Sequence, residues 1–175
     1  LWSRRGKVWN APAWFLAQLP PDLPLDGELW IGRGQFEYTS GVCRSSRQDD
    51  WERVQYMVFD TPGWPDEPVE ARWDRLRTHF TSLSSDEMQT PPSVRHLGLL
   101  TQSAGVYFVE QVQCTGQAHL DAVLQHVLEC GGEGYVDDSH QRHAPPPCVI
   151  VRVPAQHGAV QAQADARRRG ACAGL

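Results

Sequence analysis

Residues 25–34 read LDGELWIGRG, an alternating apolar and polar run that ends in a glycine-flanked arginine. Strict alternation predicts a β-strand, because successive side chains of a strand point to opposite faces of its sheet. One face of this strand carries Leu23, Leu25, Leu29 and Ile31, and the other face carries Asp26, Glu28 and Trp30. The two carboxylates are therefore expected side by side on one sheet face.

Further elements follow on both sides of this strand. Residues 53–60 (RVQYMVFD) are rich in β-branched and aromatic residues and predict a second central strand, while the stretch before them reads as mixed and polar. Apolar residues at helical spacing predict a helix that begins at Pro68. Residues 105–114 predict a third strand, Thr115 begins a second apolar-striped helix, and residues 133–138 open as a fourth strand. This order indicates an α+β fold.

The last part of the chain has a different composition. Residues 139–175 are rich in proline, alanine and arginine and show no sustained period apart from a brief strand-like CVIVRV. They offer little apolar surface to offset the entropy of ordering, so we predict a poorly ordered tail. The expected division is a folded unit of residues 1–138 followed by this tail.

Composition narrows the function classes. A net charge of -5 argues against a protein that coats nucleic acid by bulk charge, so any such contact should be local. Five scattered cysteines with no C-x-x-C pair favour free thiols. No apolar run has membrane-spanning length, so no membrane partner is expected, and we expect a monomer. The sequence has one lysine, Lys7, beside fifteen arginines.

Four short motifs, in one order along the chain, resemble the nucleotidyltransferase motifs of ATP-dependent DNA ligases. They are SRRGK (3–7), LDGEL (25–29), YMVFD (56–60) and GGEGYV (131–136). The wider stretches APAWF, LDGELWIGRGQFE and VQYMVFDTPG are similar to those of the small, lean ligases, which consist of an adenylation domain and an OB-fold. The resemblance covers residues 1–137.

This resemblance implies a fold and an activity. The fold would be a partial ATP-grasp-like nucleotidyltransferase (adenylation) domain, with antiparallel sheets, flanking helices and no OB-fold within these residues. The activity would be ATP-dependent sealing of nicks in duplex DNA, through an enzyme–AMP and a DNA-adenylate, in DNA repair, recombination or replication. Each step concentrates negative charge on a phosphate, so ATP, Mg²⁺ and basic groups are expected at the site.

The resemblance also implies roles for six residues. Glu28 would contact the ribose or the metal shell, Phe59 would stack on adenine, and Arg4 would meet a nucleotide or DNA phosphate. Glu133 would be the main carboxylate for magnesium, a cation that prefers oxygen ligands. The phosphate-facing surface would include Arg33 and Arg44.

Two motifs of the family do not occur in these residues. The K-x-D-G-x-R motif, which carries the nucleophilic lysine, would precede SRRGK, and a K-x-K pair would follow the E-G strand. Arginine cannot replace the nucleophile because its guanidinium stays protonated, and Lys7 fits a surface cation. We therefore assign no catalytic nucleophile and expect these residues alone to be inactive.

Other interpretations stay open at this point. The chain could be a non-catalytic nucleotide- or nucleic-acid-binding remnant, or a relative of RNA ligases or capping nucleotidyltransferases. By the ordinary interpretation Phe59 is a core aromatic. A zinc site at His140, His143 and Cys148 is not expected, because these residues lie in a proline-rich stretch.

Overall fold

The computed structural model describes residues 1–83, 99–103, 105–109, 111, 115–129, 136–137, 149–150 and 159–164. The helices are α1 (Ala13–Leu16), α2 (Phe36–Arg44), α3 (Val69–Leu83) and α4 (Gln117–Glu129), with a short 3₁₀ turn at Trp51–Arg53. The strands are β1 (Leu25–Trp30), β2 (Gln55–Asp60), β3 (Leu99–Ser103), β4 (Val106–Val109), β5 (Val136–Asp137), β6 (Val149–Ile150) and β7 (Ala159–Ala164).

Five strands form one mixed sheet in the order β3-β4-β2-β1-β7, and β5 pairs with β6. Within the larger sheet β1 is antiparallel to β2 and to β7, and β3 is antiparallel to β4. The fourth pairing, between β2 and β4, is parallel. A parallel pair needs a long crossover connection, and α3 lies within it. The mixed α+β class is confirmed, and the expected antiparallel geometry holds for three of these four pairings.

Most predicted elements have their counterpart in the structure. β3 was not predicted, and neither was α2. Its sequence, FEYTSGVCR, buries the small polar Thr39 and Ser40 together with Val42 and Cys43. The buried face therefore lacks the large apolar residues that make a helical period visible. Gly41 lowers the helix propensity further.

The two faces of the sheet carry separate apolar clusters. The larger cluster joins one face to α3 and to the segments around α1 and α2; its fully buried members include Phe15, Leu25, Leu29, Trp51, Tyr56, Val58, Leu76, Phe80 and Phe108. The smaller cluster lies on the other face and contains Trp30, Met57, Phe59, Tyr107 and Val109.

Gly27 allows β1 and β2 to approach closely. A Cβ atom at this position would lie 2.8 Å from Cε2 of Tyr56 and would overlap the backbone carbonyl oxygen of Met57. The Tyr56 hydroxyl donates a buried hydrogen bond of 3.1 Å to the carbonyl of Leu25, which holds its ring in that place. The glycine of the D-G-E motif is therefore required by packing.

We predict that Gly27→Ala lowers the free energy of unfolding by about 3 kcal/mol, because the added methyl meets backbone that cannot move cheaply. Gly41→Ala is the matched control, since a Cβ there meets nothing within 4 Å. It should leave stability unchanged or raise it by up to about 1 kcal/mol. Urea unfolding of both variants checks this, and equal stabilities would contradict it.

β7 extends the sheet beyond β1. All six of its residues pair with β1, from Leu25↔Ala164 to Trp30↔Ala159. The predicted poorly ordered tail did not include this strand, whereas a strand at Val149–Ile150 agrees with the CVIVRV pattern. Most of residues 139–175 lie outside the described residues, so the boundary at residue 138 stays a prediction.

Amide hydrogen exchange should show the pairing of β7. In an antiparallel edge strand alternate N–H groups point to the neighbouring strand, so we expect alternate amides of residues 159–164 to exchange slowly. The amides of β1 provide the internal reference. Uniformly fast exchange across residues 159–164, with β1 protected, would contradict the pairing.

Candidate functional site

Asp26 and Glu28 are half-buried on the sheet face of the smaller cluster. Glu28 lies opposite Met57 of β2 on one side and opposite Gln161 of β7 on the other. Its strand neighbour on the same face, Trp30, belongs to the smaller cluster. The structure therefore places both carboxylates on one sheet face, as the alternation predicted, and that face also carries the smaller cluster.

Phe59 lies on the same face of the neighbouring strand. The register runs Asp26↔Asp60 and then Gly27↔Val58, so Phe59 is the extra residue of a β-bulge. Bulges re-aim side chains and are frequent next to active sites. The ring packs in the smaller cluster with only 6% of its surface exposed. Glu28 and Phe59, placed together by the resemblance, thus share one face in the structure.

Asp60 ends β2 in a polar network that sequence analysis missed. Its two carboxylate oxygens accept hydrogen bonds from Nε and Nη2 of Arg72, at 2.9 and 3.1 Å. The backbone N–H of Thr61 also donates to Asp60, at 2.7 Å. Arg72 is only 7% exposed, so this is a largely buried ion pair. No sequence signal marks it, since the partners are separated by a loop.

The N-terminal segment forms a tight hairpin. An antiparallel bridge joins Trp2 and Val8, and the N–H groups of Ser3 and Gly6 donate to Lys7 and Ser3 carbonyls at 2.6 and 2.8 Å. Gly6 has φ +75°, which suits a residue without a side chain. The exposed tip of this hairpin carries Arg4 and Arg5.

This hairpin is tied to the end of α2. The backbone N–H of Asn10 donates to the carbonyl of Cys43 at 3.4 Å, and its side-chain amide donates to the carbonyl of Arg44 at 3.2 Å. The segment that follows the hairpin therefore runs beside the helix end that carries exposed Arg44. Arg33 lies separately, in the turn after β1.

The arginines of α3 are paired with carboxylates, whereas several cations elsewhere in the described residues are not. Arg72, Arg75 and Arg77 of α3 each form an ion pair with a carboxylate. Within the described part of the chain, by contrast, the cations with no carboxylate at ion-pair distance include Arg4, Arg5, Lys7, Arg33 and Arg44. Arg4, Arg5, Lys7 and Arg44 are exposed and Arg33 is half-buried. Exposed cations without a carboxylate partner are available to an anionic ligand.

Other candidate chemistry finds no support in the described residues. No three His, Cys, Asp or Glu side chains among them could together hold a metal ion. Burial raises the pKa of the Cys43 thiol to about 12, so it is not a nucleophile near neutral pH. Glu133 lies outside the described residues. None of the helices described could span a membrane.

Comparisons with known proteins point in one direction. No family model matches the chain. It is 29% identical over 136 residues to a DNA ligase of Haemophilus influenzae, an alignment that covers 78% of this chain and 43% of that protein. The chain is therefore similar to a DNA ligase over most of its length. A solved structure described as "DNA binding with a minimal scaffold: Structure-function analysis of Lig E DNA ligases" matches with a TM-score of 0.56.

The match to that structure has 29% identity and covers 76% of this chain and 45% of the other. The chain therefore spans less than half the length of these two relatives. The resemblance to DNA ligases is confirmed by both. The individual roles of Arg4, Glu28, Phe59, Arg33, Arg44 and Glu133 stay predictions.

Proposed function

We propose that these residues form part of the adenylation domain of an ATP-dependent DNA ligase. Such an enzyme seals nicks in duplex DNA, through an enzyme–AMP and a DNA-adenylate, and would act as a monomer in DNA repair, recombination or replication. The observation that carries the proposal is the shared sheet face of Glu28 and Phe59 in a chain similar to DNA ligases. A partial ATP-grasp-like nucleotidyltransferase fold is part of the same proposal.

The smaller apolar cluster supplies the floor for a base. Aromatic and sulfur-containing side chains present flat, polarisable surface to a purine, and this cluster combines Phe59 with Trp30, Met57 and Tyr107. Because Phe59 is only 6% exposed, a base can stack on it only after neighbouring groups move away from the ring. The bulge directs the Phe59 ring toward this face, and the carboxylates of Asp26 and Glu28 lie at the polar edge of the cluster.

The carboxylates at this edge suit the ribose and magnesium. Glu28 and Asp26 are oxygen donors, half-buried and on one face. Magnesium commonly takes one or two protein carboxylates, keeps several waters and binds substrate phosphates. Bound there, it would neutralise phosphate charge. Asp60 is less suited, since both of its oxygens already bond to Arg72; Glu133 is proposed as the main carboxylate for magnesium.

The cations without carboxylate partners suit the phosphates of nicked duplex DNA. Arg4 and Arg5 at the hairpin tip and Arg44 at the end of α2 belong to adjoining segments. Guanidinium groups bind phosphate oxygens through two parallel hydrogen bonds. Arg33, in the turn after β1, is proposed for the same partner.

We propose no covalent step for these residues. Lys7 is the sole lysine of these residues and lies exposed on the hairpin, where its backbone N–H donates to the Ser3 hydroxyl at 2.9 Å. The proposal for this chain is therefore nucleotide and DNA binding. Lysyl adenylation would require the K-x-D-G-x-R motif that the family carries.

Nucleotide binding tests the base pocket. We predict that Phe59→Leu weakens ATP binding roughly tenfold, within the range of about 1–3 kcal/mol for stacking a base on an aromatic ring. Binding of tripolyphosphate, which has no base, should not change. Glu28→Gln should weaken ATP binding in the presence of magnesium. Isothermal titration calorimetry measures each affinity.

The matched control is Phe36→Leu, which makes the same change at an exposed ring on α2. It should leave ATP affinity unaltered. Equal ATP affinities of Phe59→Leu and the unchanged chain would contradict the base pocket, and so would equal losses for ATP and tripolyphosphate.

DNA binding tests the cationic segments. We predict that Arg4→Gln/Arg5→Gln and Arg44→Gln weaken binding of a nicked duplex with a 5′-phosphate. The slope of log affinity against log salt should become shallower by about 0.9 for each phosphate that the variant no longer neutralises. Fluorescence anisotropy at several salt concentrations measures both quantities.

Arg77→Gln provides the control, because Arg77 is partly exposed but already paired with Asp74 on α3. It should change neither the affinity nor the salt slope. A salt slope that stays constant in the hairpin and α2 variants would show that the phosphate contacts lie elsewhere.

A further inference from the structure

We propose that Arg72 is a positioning residue, which fixes the β-bulge that aims Phe59 at the nucleotide face. The inference deepens the proposed function and rests on it, since the ring matters only if a base stacks there. Arg72 itself projects from α3, on the side of the larger core. It would touch no ligand and would act through Asp60.

The two-bond geometry of the Arg72–Asp60 ion pair restrains the direction of the Asp60 side chain. Two guanidinium nitrogens of Arg72 donate to the two carboxylate oxygens of Asp60, and the third, Nη1, donates to the carbonyl of Glu67 at 2.8 Å. The arginine thus joins three places at once: the end of β2, the loop before α3, and α3. A bidentate pair fixes orientation as well as distance.

Asp60 lies where it can control the bulge. It follows Phe59 directly and is the first residue of β2 that pairs with β1 beyond the bulge, opposite Asp26. On the other side of the bulge Gly27 lies against Met57 and Tyr56. Phe59 is therefore held between two fixed points, the Gly27 contact and the Asp60–Arg72 pair.

A neighbouring contact restrains the same end of the strand. The Thr61 hydroxyl donates to the carbonyl of Pro24 at 2.7 Å, which links the exit of β2 to the entry of β1. This bond does not reach the Asp60 side chain, whose Oδ1 accepts from the Thr61 N–H as well as from Arg72 and whose Oδ2 accepts from Arg72. Among the described residues, Arg72 is the side chain that bonds to both Asp60 oxygens. The backbone rotation at the bulge is consequently coupled to α3.

Lysine cannot reproduce this arrangement. An ammonium group is a single point of charge, whereas the planar guanidinium meets two carboxylate oxygens and a carbonyl together. Arg72→Lys therefore keeps the charge and loses the orientation. The double variant Asp60→Asn/Arg72→Met removes both charges, and such replacements of a buried pair can leave stability intact.

The experiment compares ligands with and without a base. In Arg72→Lys and in Asp60→Asn/Arg72→Met, ATP affinity should fall roughly tenfold, as in Phe59→Leu, while tripolyphosphate affinity stays constant. Adding Phe59→Leu to either variant should cause no further loss, because the two changes disable one interaction. Arg77→Lys, also on α3 and ion-paired, is the control and should bind ATP normally.

A second measurement is independent of any ligand. Nuclear Overhauser contacts between the Phe59 ring and the Met57 methyl report the aim of the ring in the smaller cluster. They should weaken in both Arg72 variants and persist in Arg77→Lys. Unchanged contacts in folded Arg72 variants would overturn the inference, as would equal losses of ATP and tripolyphosphate binding.

Failure of the proposed base pocket and failure of the positioning role of Arg72 give different results. If Phe59→Leu leaves ATP binding unaltered, the proposed base pocket falls, and the Phe59–Met57 contacts alone then decide whether Arg72 aims the ring. If Phe59→Leu weakens ATP binding but the Arg72 variants do not, the pocket stands and the positioning role is overturned.

Discussion

The close approach of β1 and β2 at Gly27 is the constraint on which the rest of the structure depends. With no side chain at that position, the Tyr56 ring and the Met57 carbonyl can pack directly over β1. The Tyr56 hydroxyl closes the arrangement by bonding to the Leu25 carbonyl. Both apolar clusters take residues from these two strands, so a wider separation would disturb both faces of the sheet.

Local pattern predicted the strands and helices with a regular apolar period. β1, β2 and α3 follow directly from alternating or helical spacing, because their buried residues are large and apolar. α2 escaped prediction because Thr39, Ser40 and Cys43 fill its buried face. The parallel pairing of β2 with β4 and the pairing of β7 with β1 join distant residues, which no local pattern encodes.

The candidate site likewise has features that the sequence predicted and features that depend on tertiary geometry. Motif order placed Glu28 and Phe59 in one site, and the strand register gives them one face. The bulge at Phe59 and the Arg72–Asp60 pair depend on tertiary geometry, which the motif letters YMVFD do not contain. At position 72 the structure gives a reason for arginine rather than lysine. The largely buried Arg72 donates hydrogen bonds from three guanidinium nitrogens, which one ammonium group could not place in the same directions.

The pairing of β7 with β1 bears on how the chain reaches this fold. The partners lie about 130 residues apart, so the pairing closes a long loop. Pairing between such distant residues is expected to form slowly during folding. During synthesis β1 emerges first, and the edge of β1 that β7 covers in the final sheet stays unpaired by β7 until β7 has been translated. An unpaired apolar strand is a template for association with other chains. We therefore expect the risk of association with other chains to be greatest in ribosome-bound intermediates, before β7 has been translated.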